Sequence, residues 1–355
     1  TGSYVAGRDE IDPSMLIQFM LTAISVQQEA VMQRRVIGGS DLEVSVVGLG
    51  CNNFGRRIDA AVTRSVVHAA LDVGINFFDT ADVYGRGESE EFLGRALGGR
   101  RRDVVVATKF AMPMGETDGQ SGASRRWIRR AVEDSLRRLG TDYIDLYQQH
   151  RFDPETPMSE TLGALDELVA SGKVRCVGSS NFAAWQVTDA HWRAKTKQQT
   201  AFVSVQNEYS LLNRDIEGEL VPACQALGLG VIPYSPLAGG FLTGKYRRGV
   251  TAPTGSRLAE GPSSERWLSD TNFDRLDALE AVAKTAGHSM LDLSIGWLAA
   301  QSHVASVIAG ATSAEQVRAN ADAGAWILDA AELAQVDLIT PPPTPPNRPL
   351  RLRST

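Results

Sequence analysis

Four residues in this chain carry side chains that could act together on a carbonyl group: Asp79, Tyr84, Lys109 and His150. The run INFFDTADVYG ends a strand-like stretch at Asp79 and presents Tyr84 just beyond it; VVVATK ends at Lys109, and YIDLYQQH ends at His150. A phenol, with an ordinary pKa near 10, is a reluctant donor at neutral pH. An adjacent ammonium stabilises the phenolate and lowers that value, and a carboxylate can hold the ammonium in place. An imidazole opposite can hydrogen-bond the oxygen that receives the proton. Taken singly, each residue has a plainer reading: a rim tyrosine, a surface lysine, a turn-capping aspartate, a satisfied histidine. Taken together, in order at successive strand ends, they read as one site.

Such a site requires elements that deliver strand ends to a common rim. Strand-like runs occupy residues 44–49, 75–79, 104–108, 143–147, 174–178, 202–206, 230–234 and 304–309. Amphipathic segments lie between them, among them 60–73, 125–139, 159–170 and 216–227, with apolar residues at helical spacing. Gly74, Gly140, Gly172 and Gly228 stand at or just past their ends, where a left-handed C-cap is wanted. Alternating strands and helices predict a parallel sheet, and eight such units predict an α/β fold, a (β/α)8 TIM barrel, whose C-terminal rim gathers the four residues. The stretch from Met32 reads as a hairpin closing the barrel floor. Residues 314–323 read as the eighth helix and 330–338 as an additional C-terminal one. The expected organisation is an N-terminal extension over 1–31, flexible or foreign to the natural chain, a single barrel domain over 32–338, and a flexible Pro/Arg-rich tail over 339–355.

Composition narrows the partners. The 36 Lys and Arg against 42 Asp and Glu give a net charge of −6 with scattered basic residues, which argues against a nucleic-acid footprint. Cys51, Cys176 and Cys224 are far apart and lack metal-ligand spacing, so neither a zinc site nor a disulfide framework is expected. The apolar run at 15–24 is too short to span a bilayer and has no basic segment before it, so no signal peptide or membrane association is expected. A cytoplasmic protein acting on small molecules is the expectation, with oligomeric state open. Because no side chain supplies hydride, reduction of a carbonyl here calls for a nicotinamide.

The motifs GINFFDTADVYGRGESEEFLGRAL, DLYQQHRFD, GKVRCVGSSNF, VQNEYSLLN, PYSPLAGGFLTGKY and IAGATSAEQVRAN resemble, in order and spacing, those of the aldo-keto reductases. The likeness covers about residues 32–338 and is greatest to the branch holding bacterial aldo-keto reductases and potassium-channel β subunits. It implies NAD(P)H-dependent reduction of aldehydes or ketones to alcohols, with Tyr84 as general acid, Lys109 and Asp79 as its tuning pair and His150 orienting the carbonyl. The same site could run as an NAD-linked alcohol or sugar dehydrogenase, or serve a cofactor-sensing regulatory subunit. No metal is needed, because Lys109 and His150 supply the electrophilic assistance.

The resemblance also implies that Ser180, Asn181 and Gln206 hydrogen-bond a nicotinamide carboxamide, a role suited to groups offering both donor and acceptor, and that Tyr234 stacks on the ring. VVGLGCNNFG lacks the G-x-G-x-x-G spacing, so the dinucleotide must be held by barrel loops. Ser235, Pro236, Leu237, Gly239, Gly240 and Leu242 follow the seventh strand, where small residues let backbone N–H groups approach a pyrophosphate. Lys245 and Arg257 add positive charge, either for phosphate or as solvated rim residues. Gly310, Thr312 and Ser313 open the eighth helix, whose N-terminus favours phosphate, and Gln316 and Asn320, one turn apart, face the adenosine. Many members of the family place Arg at the position of Gln316 and Glu at that of Ala319. NADPH remains the expected cofactor, its phosphate served by Thr312, Ser313, Lys245 and Arg257, with NADH as the alternative. Asn53, Phe54, Phe110, residues 112–114 and the 237–272 segment are expected to wall the substrate pocket.

Overall fold

The computed structural model describes residues 32–115, 120–259 and 263–344. The expected extension over 1–31, and the tail from residue 345 onward, lie outside the described residues. A hairpin of β1 (Arg34–Val36) and β2 (Glu43–Ser45) is followed by eight parallel strands: β3 (Val47–Gly50), β4 (Phe77–Asp79), β5 (Val105–Phe110), β6 (Ile144–Gln149), β7 (Val174–Ser180), β8 (Phe202–Gln206), β9 (Gly230–Val231) and β10 (Val307–Gly310). Each of the first six pairs with the next, and β10 returns to pair with β3. The remaining seam closes where Ala305 N donates to Val231 O at 2.9 Å and Ile308 N to Pro233 O at 2.9 Å. The molecule is a (β/α)8 barrel.

Helices α1 (Ala60–Asp72), α2 (Glu88–Leu97), α3 (Arg125–Leu139), α4 (Met158–Ala170), α5 (Ala184–Thr196) and α6 (Leu220–Leu227) wrap its outside. The seventh connection contains the short α7 (Ser263–Trp267), then α8 (Asp270–Thr285) and α9 (Met290–Ala300); α10 (Ala314–Ala323) and α11 (Ala330–Ile339) are the last helices among the described residues. Local chemistry starts and stops them as expected. Asp59, Ser124, Ser269 and Ser313 accept a first-turn backbone N–H at α1, α3, α8 and α10, and Ser289/Asp292 and Asp329/Glu332 form reciprocal capping boxes at α9 and α11. Among the described residues no helix is long and apolar enough to cross a membrane.

Three predicted elements differ. The run 44–49 is two strands, because the chain changes partners at Val46: its N–H donates to Gln33 O in the hairpin while its carbonyl accepts from Val307 N in the barrel. The run 230–234 keeps ladder geometry only at Gly230–Val231, since Pro233 has no N–H to donate. The run 216–227 divides into a single 3-10 turn, Asp215–Glu217, and α6; Gly218 interrupts it and Pro222 sits in the first turn of the new helix, where its missing donor is tolerated.

The core has two faces. One lies between strands and helices, where Val66, Ile128, Leu162 and Val187 of α1, α3, α4 and α5 pack on the strands. The other fills the barrel floor: Ile37, Leu42 and Val44 of the hairpin meet Phe77, Ala107, Leu146 and Ile232 from inside. Gly38 is at φ +49°, and a Cβ there would come within 2.3 Å of Val203 O. Only glycine permits so close an approach of the hairpin to the barrel. The floor is sealed, and what opens to solvent is the opposite rim.

Candidate active site

Asp79 ends β4, and Lys109 comes from β5 beside it. Lys109 is fully buried; its Nζ donates to Asp79 Oδ2 at 2.6 Å and to Thr80 O at 2.9 Å. The other carboxylate oxygen accepts from Gln206 Nε2 at 2.8 Å and Gln148 Nε2 at 3.1 Å. Both carboxylate oxygens are thus engaged, as a buried ion pair requires. The ammonium lies 5.3 Å from the centre of the Tyr84 ring.

Tyr84 opens a tight turn, Tyr84–Gly87, in which Gly85, Arg86 and Gly87 all have positive φ. The turn is pressed against the loop after β3, for a Cβ on Gly85 would stand 3.1 Å from Phe54 O. His150 follows β6. Its ring meets that of Tyr84 edge-on at 5.8 Å, its N–H donates to Phe110 O, and its carbonyl accepts from Asn181 Nδ2 at 2.9 Å. Five of the six non-glycine residues at positive φ, namely Arg86, Ala111, Asn181, Ser235 and Ala238, lie in loops that leave barrel strands toward this rim. Left-handed backbone costs about 1 kcal/mol or more at each non-glycine residue and collects where geometry is over-determined.

The electrostatics depart from expectation at one point. Burial raises the Tyr84 phenol above its ordinary value; the charge of Lys109 and its hydrogen bond pull the other way and are outweighed. The phenol is therefore the protonated, donating form throughout the physiological range. Burial alone would lower Lys109, but Asp79 and Tyr84 together hold it above its usual value, so it stays an ammonium. Burial, then Lys109 and Arg151, push His150 down to about 3, so its imidazole is neutral. Its Nδ1 is enclosed with no hydrogen-bond partner among the described residues, which leaves the remaining nitrogen for a ligand. A neutral imidazole and a phenol backed by an ammonium can together hold a carbonyl oxygen and deliver a proton to it.

These residues stand at one end of a cleft of about 640 Å³. Of the expected cofactor residues, Ser180, Asn181, Gln206, Tyr234, Ser235, Pro236, Leu237, Gly239, Gly240, Lys245, Arg257, Gly310, Thr312, Gln316 and Asn320 line it. Tyr234 donates from its hydroxyl to Asn181 Oδ1 at 2.7 Å, and Asn181 Nδ2 reaches Ser180 Oγ at 3.1 Å. Two residues lie elsewhere. Leu242 is wholly buried in the apolar cluster under α8 and α9, because it points away from the turn that exposes Gly239 and Gly240. Ser313 spends its hydroxyl capping α10. Gln316, although in the cleft, turns its Oε1 back to accept from Thr312 N at 2.8 Å and Thr312 Oγ1 at 3.1 Å. Phe54 and Phe110 are core residues rather than pocket walls, whereas Asn53 does face the cleft.

Arg57, Thr243 and Leu291 also line the cleft and were not singled out from sequence. Arg57 was legible only as a charge shortly after a strand end. In the fold its Nη2 donates to Gly255 O at 3.0 Å, and Arg257 Nη2 donates to Asn53 Oδ1 at 3.1 Å. Partial burial, then the charges of Arg57 and Arg56, push the Arg257 guanidinium below its usual value. Three guanidinium groups thus share one corner, and none has a carboxylate partner among the described residues. A dinucleotide fits this cleft: cations gather at one end, and an amide-bearing wall with Tyr234 stands beside Tyr84 at the other.

The sequence profile described as "Aldo/keto reductase family" matches residues 46–340. The chain is 38% identical over 323 residues to the "uncharacterized oxidoreductase YrpG" of Bacillus subtilis, covering 88% of this chain and 97% of the relative. It is 37% identical over 297 residues to a "probable voltage-gated potassium channel subunit beta" of Oryza sativa subsp. japonica, covering 81% and 90%. To the "L-glyceraldehyde 3-phosphate reductase" of Escherichia coli K12 it is 34% identical over 320 residues, covering 86% and 92%. Barrel, rim residues, profile and relatives agree: the chain belongs to the aldo/keto reductase family, oxidoreductases acting on small carbonyl compounds.

Proposed function

We propose that the chain reduces aldehydes or ketones with NADPH and that Tyr84 is the general acid. The observation that carries this reading is the buried Lys109–Asp79 pair lying under a protonated Tyr84, with a neutral His150 at its edge. When bound, the reduced nicotinamide supplies hydride. Ser180, Asn181 and Gln206 would hold its carboxamide and Tyr234 would offer its ring as a wall for it, all four lining the cleft beside Tyr84. His150 donates a hydrogen bond to the substrate oxygen and places it beside the Tyr84 hydroxyl. Tyr84 gives its proton to that oxygen as negative charge develops there, and Lys109, held by Asp79, stabilises the phenolate left behind. The positive corner of Arg56, Arg57 and Arg257, joined by Lys245 on the same cleft, supports a cofactor carrying an extra phosphate and hence NADPH over NADH.

Tyr84→Phe is expected to lower turnover roughly 100- to 10,000-fold, the range for losing a general acid, while NADPH still binds and quenches tryptophan fluorescence. Turnover retained in this variant, over a panel that includes glyceraldehyde 3-phosphate, would overturn the assignment. The relatives named as channel subunits support a second reading, a cofactor-sensing subunit. It predicts NADPH binding with single-turnover reduction far slower than product release.

A further inference from the structure

Two residues before Tyr84, on the same loop, Asp82 carries a carboxyl group that the chemistry above does not use. The residue is 1% exposed, and neither carboxyl oxygen has a hydrogen-bond partner among the described residues. What surrounds it is polar and already committed. Glu90 of α2, fully buried, accepts from Arg138 Nε of α3 at 2.6 Å and from Thr108 Oγ1 of β5 at 2.5 Å. Tyr147 of β6, also fully buried, has a hydroxyl with no partner, and Asp82 is the largest charge acting on it. Lys109 is the remaining cation, bound to Asp79. The Asp82 N–H donates to Lys109 O at 3.2 Å, which pins the loop to the strand that bears the lysine.

We propose that Asp82 is a positioning residue that must remain an uncharged acid for the Tyr84 site to stay assembled. An ionised carboxylate here would have no cation of its own, only the adjacent Val83 amide and the nearby Tyr147 hydroxyl, and an uncompensated buried charge is strongly destabilising. It would also face Glu90, whose charge Arg138 already balances. The cations acting on it are Arg138, held by Glu90, and Lys109, held by Asp79; to draw on either breaks an existing pair, and the second exchange removes the cation from beneath Tyr84. Neutral, it competes for neither. Burial, then Glu90, raise this carboxyl well above the usual carboxylate range, and the Val83 amide, Arg138 and Lys109 do not offset them. The fold therefore keeps a proton that the unfolded chain releases, so stability declines as pH rises from the ordinary aspartate value through the raised one. The inference rests on the reading of Tyr84 as general acid.

The test compares two substitutions in the full chain with NADPH and one aldehyde. Asp82→Asn, an uncharged isostere, is expected to retain turnover near neutral pH and to move the alkaline limb of kcat upward relative to the parent. Asp82→Ala is expected to lose kcat on the order of 100-fold through misplacement of the loop, with NADPH affinity unchanged. An Asp82→Asn profile that coincides with the parent's, or Asn and Ala variants equally impaired, would overturn the proposal. Carbon-13 NMR of the aspartate-labelled parent gives a reading that needs no variant. One carboxyl signal should remain at the protonated position at neutral pH, and its absence would be equally fatal. Retained turnover in Tyr84→Phe would instead sink the general-acid reading and leave the NMR result standing.

Discussion

The two ends of the cleft treat charge in opposite ways. At the Tyr84 end, Lys109 and Asp79 are buried and mutually satisfied, with Gln148 and Gln206 closing the carboxylate's remaining positions. At the other end, the charges of Arg56 and Arg57 act on Arg257, and among the described residues Arg57 and Arg257 have a carbonyl and an amide oxygen, not a carboxylate, as partners. The first region is organised before any ligand arrives. The second gathers like charges that an anionic ligand would balance. A satisfied, buried pair suits chemistry repeated without reorganisation, and a cluster of cations suits recognition of a charged molecule.

The sharpest way to break this contrast is to empty the satisfied end. Lys109→Met leaves the Asp79 carboxylate buried and unpaired, which should cost about 3–5 kcal/mol of folding stability and abolish turnover. Denaturant unfolding read beside the steady-state rate checks both, and a stable variant would show that the pair is not under strain from burial. A smaller effect is expected at the cationic end. Arg257→Ala should weaken NADPH about tenfold, the scale of one charge-assisted hydrogen bond, and leave NADH and the fold untouched; equal losses for both nucleotides would remove the phosphate reading. The mildest expectation concerns pH. With His150 held down to about 3, kcat should show no acid limb near the ordinary histidine value. Between that value and about 3 the unfolded chain binds a proton that the native His150 refuses, so stability falls as pH is lowered through this window. Thermal melts across the window, next to a rate profile, separate the two effects.

The barrel and its tetrad were legible because both depend on local pattern. Strand runs alternate with amphipathic helices, and Asp79, Lys109 and His150 fall at strand ends, so topology alone brings them together. Where the reading missed, the deciding partner was distant in sequence. Nothing near Asp79 reveals that Gln148 and Gln206 will hold its second oxygen, and nothing near Arg57 reveals that Gly255 will receive it. Leu242 lies in a segment of small rim residues yet turns into the core, a choice set by the packing of α8 and α9. Phe54 and Phe110 read as pocket walls because they adjoin rim positions, but their side chains face the helices. The expected drop in the Tyr84 pKa failed for a related reason: sequence names the neighbouring lysine, whereas the depth of burial that outweighs it belongs to the fold.

The hairpin under the barrel has a kinetic consequence. With Ile37, Leu42 and Val44 stoppering the floor, the cleft among the described residues opens at the rim, and whatever enters it there must leave the same way. Traffic through that opening becomes a queue, in which whichever molecule sits deeper enters first and leaves last.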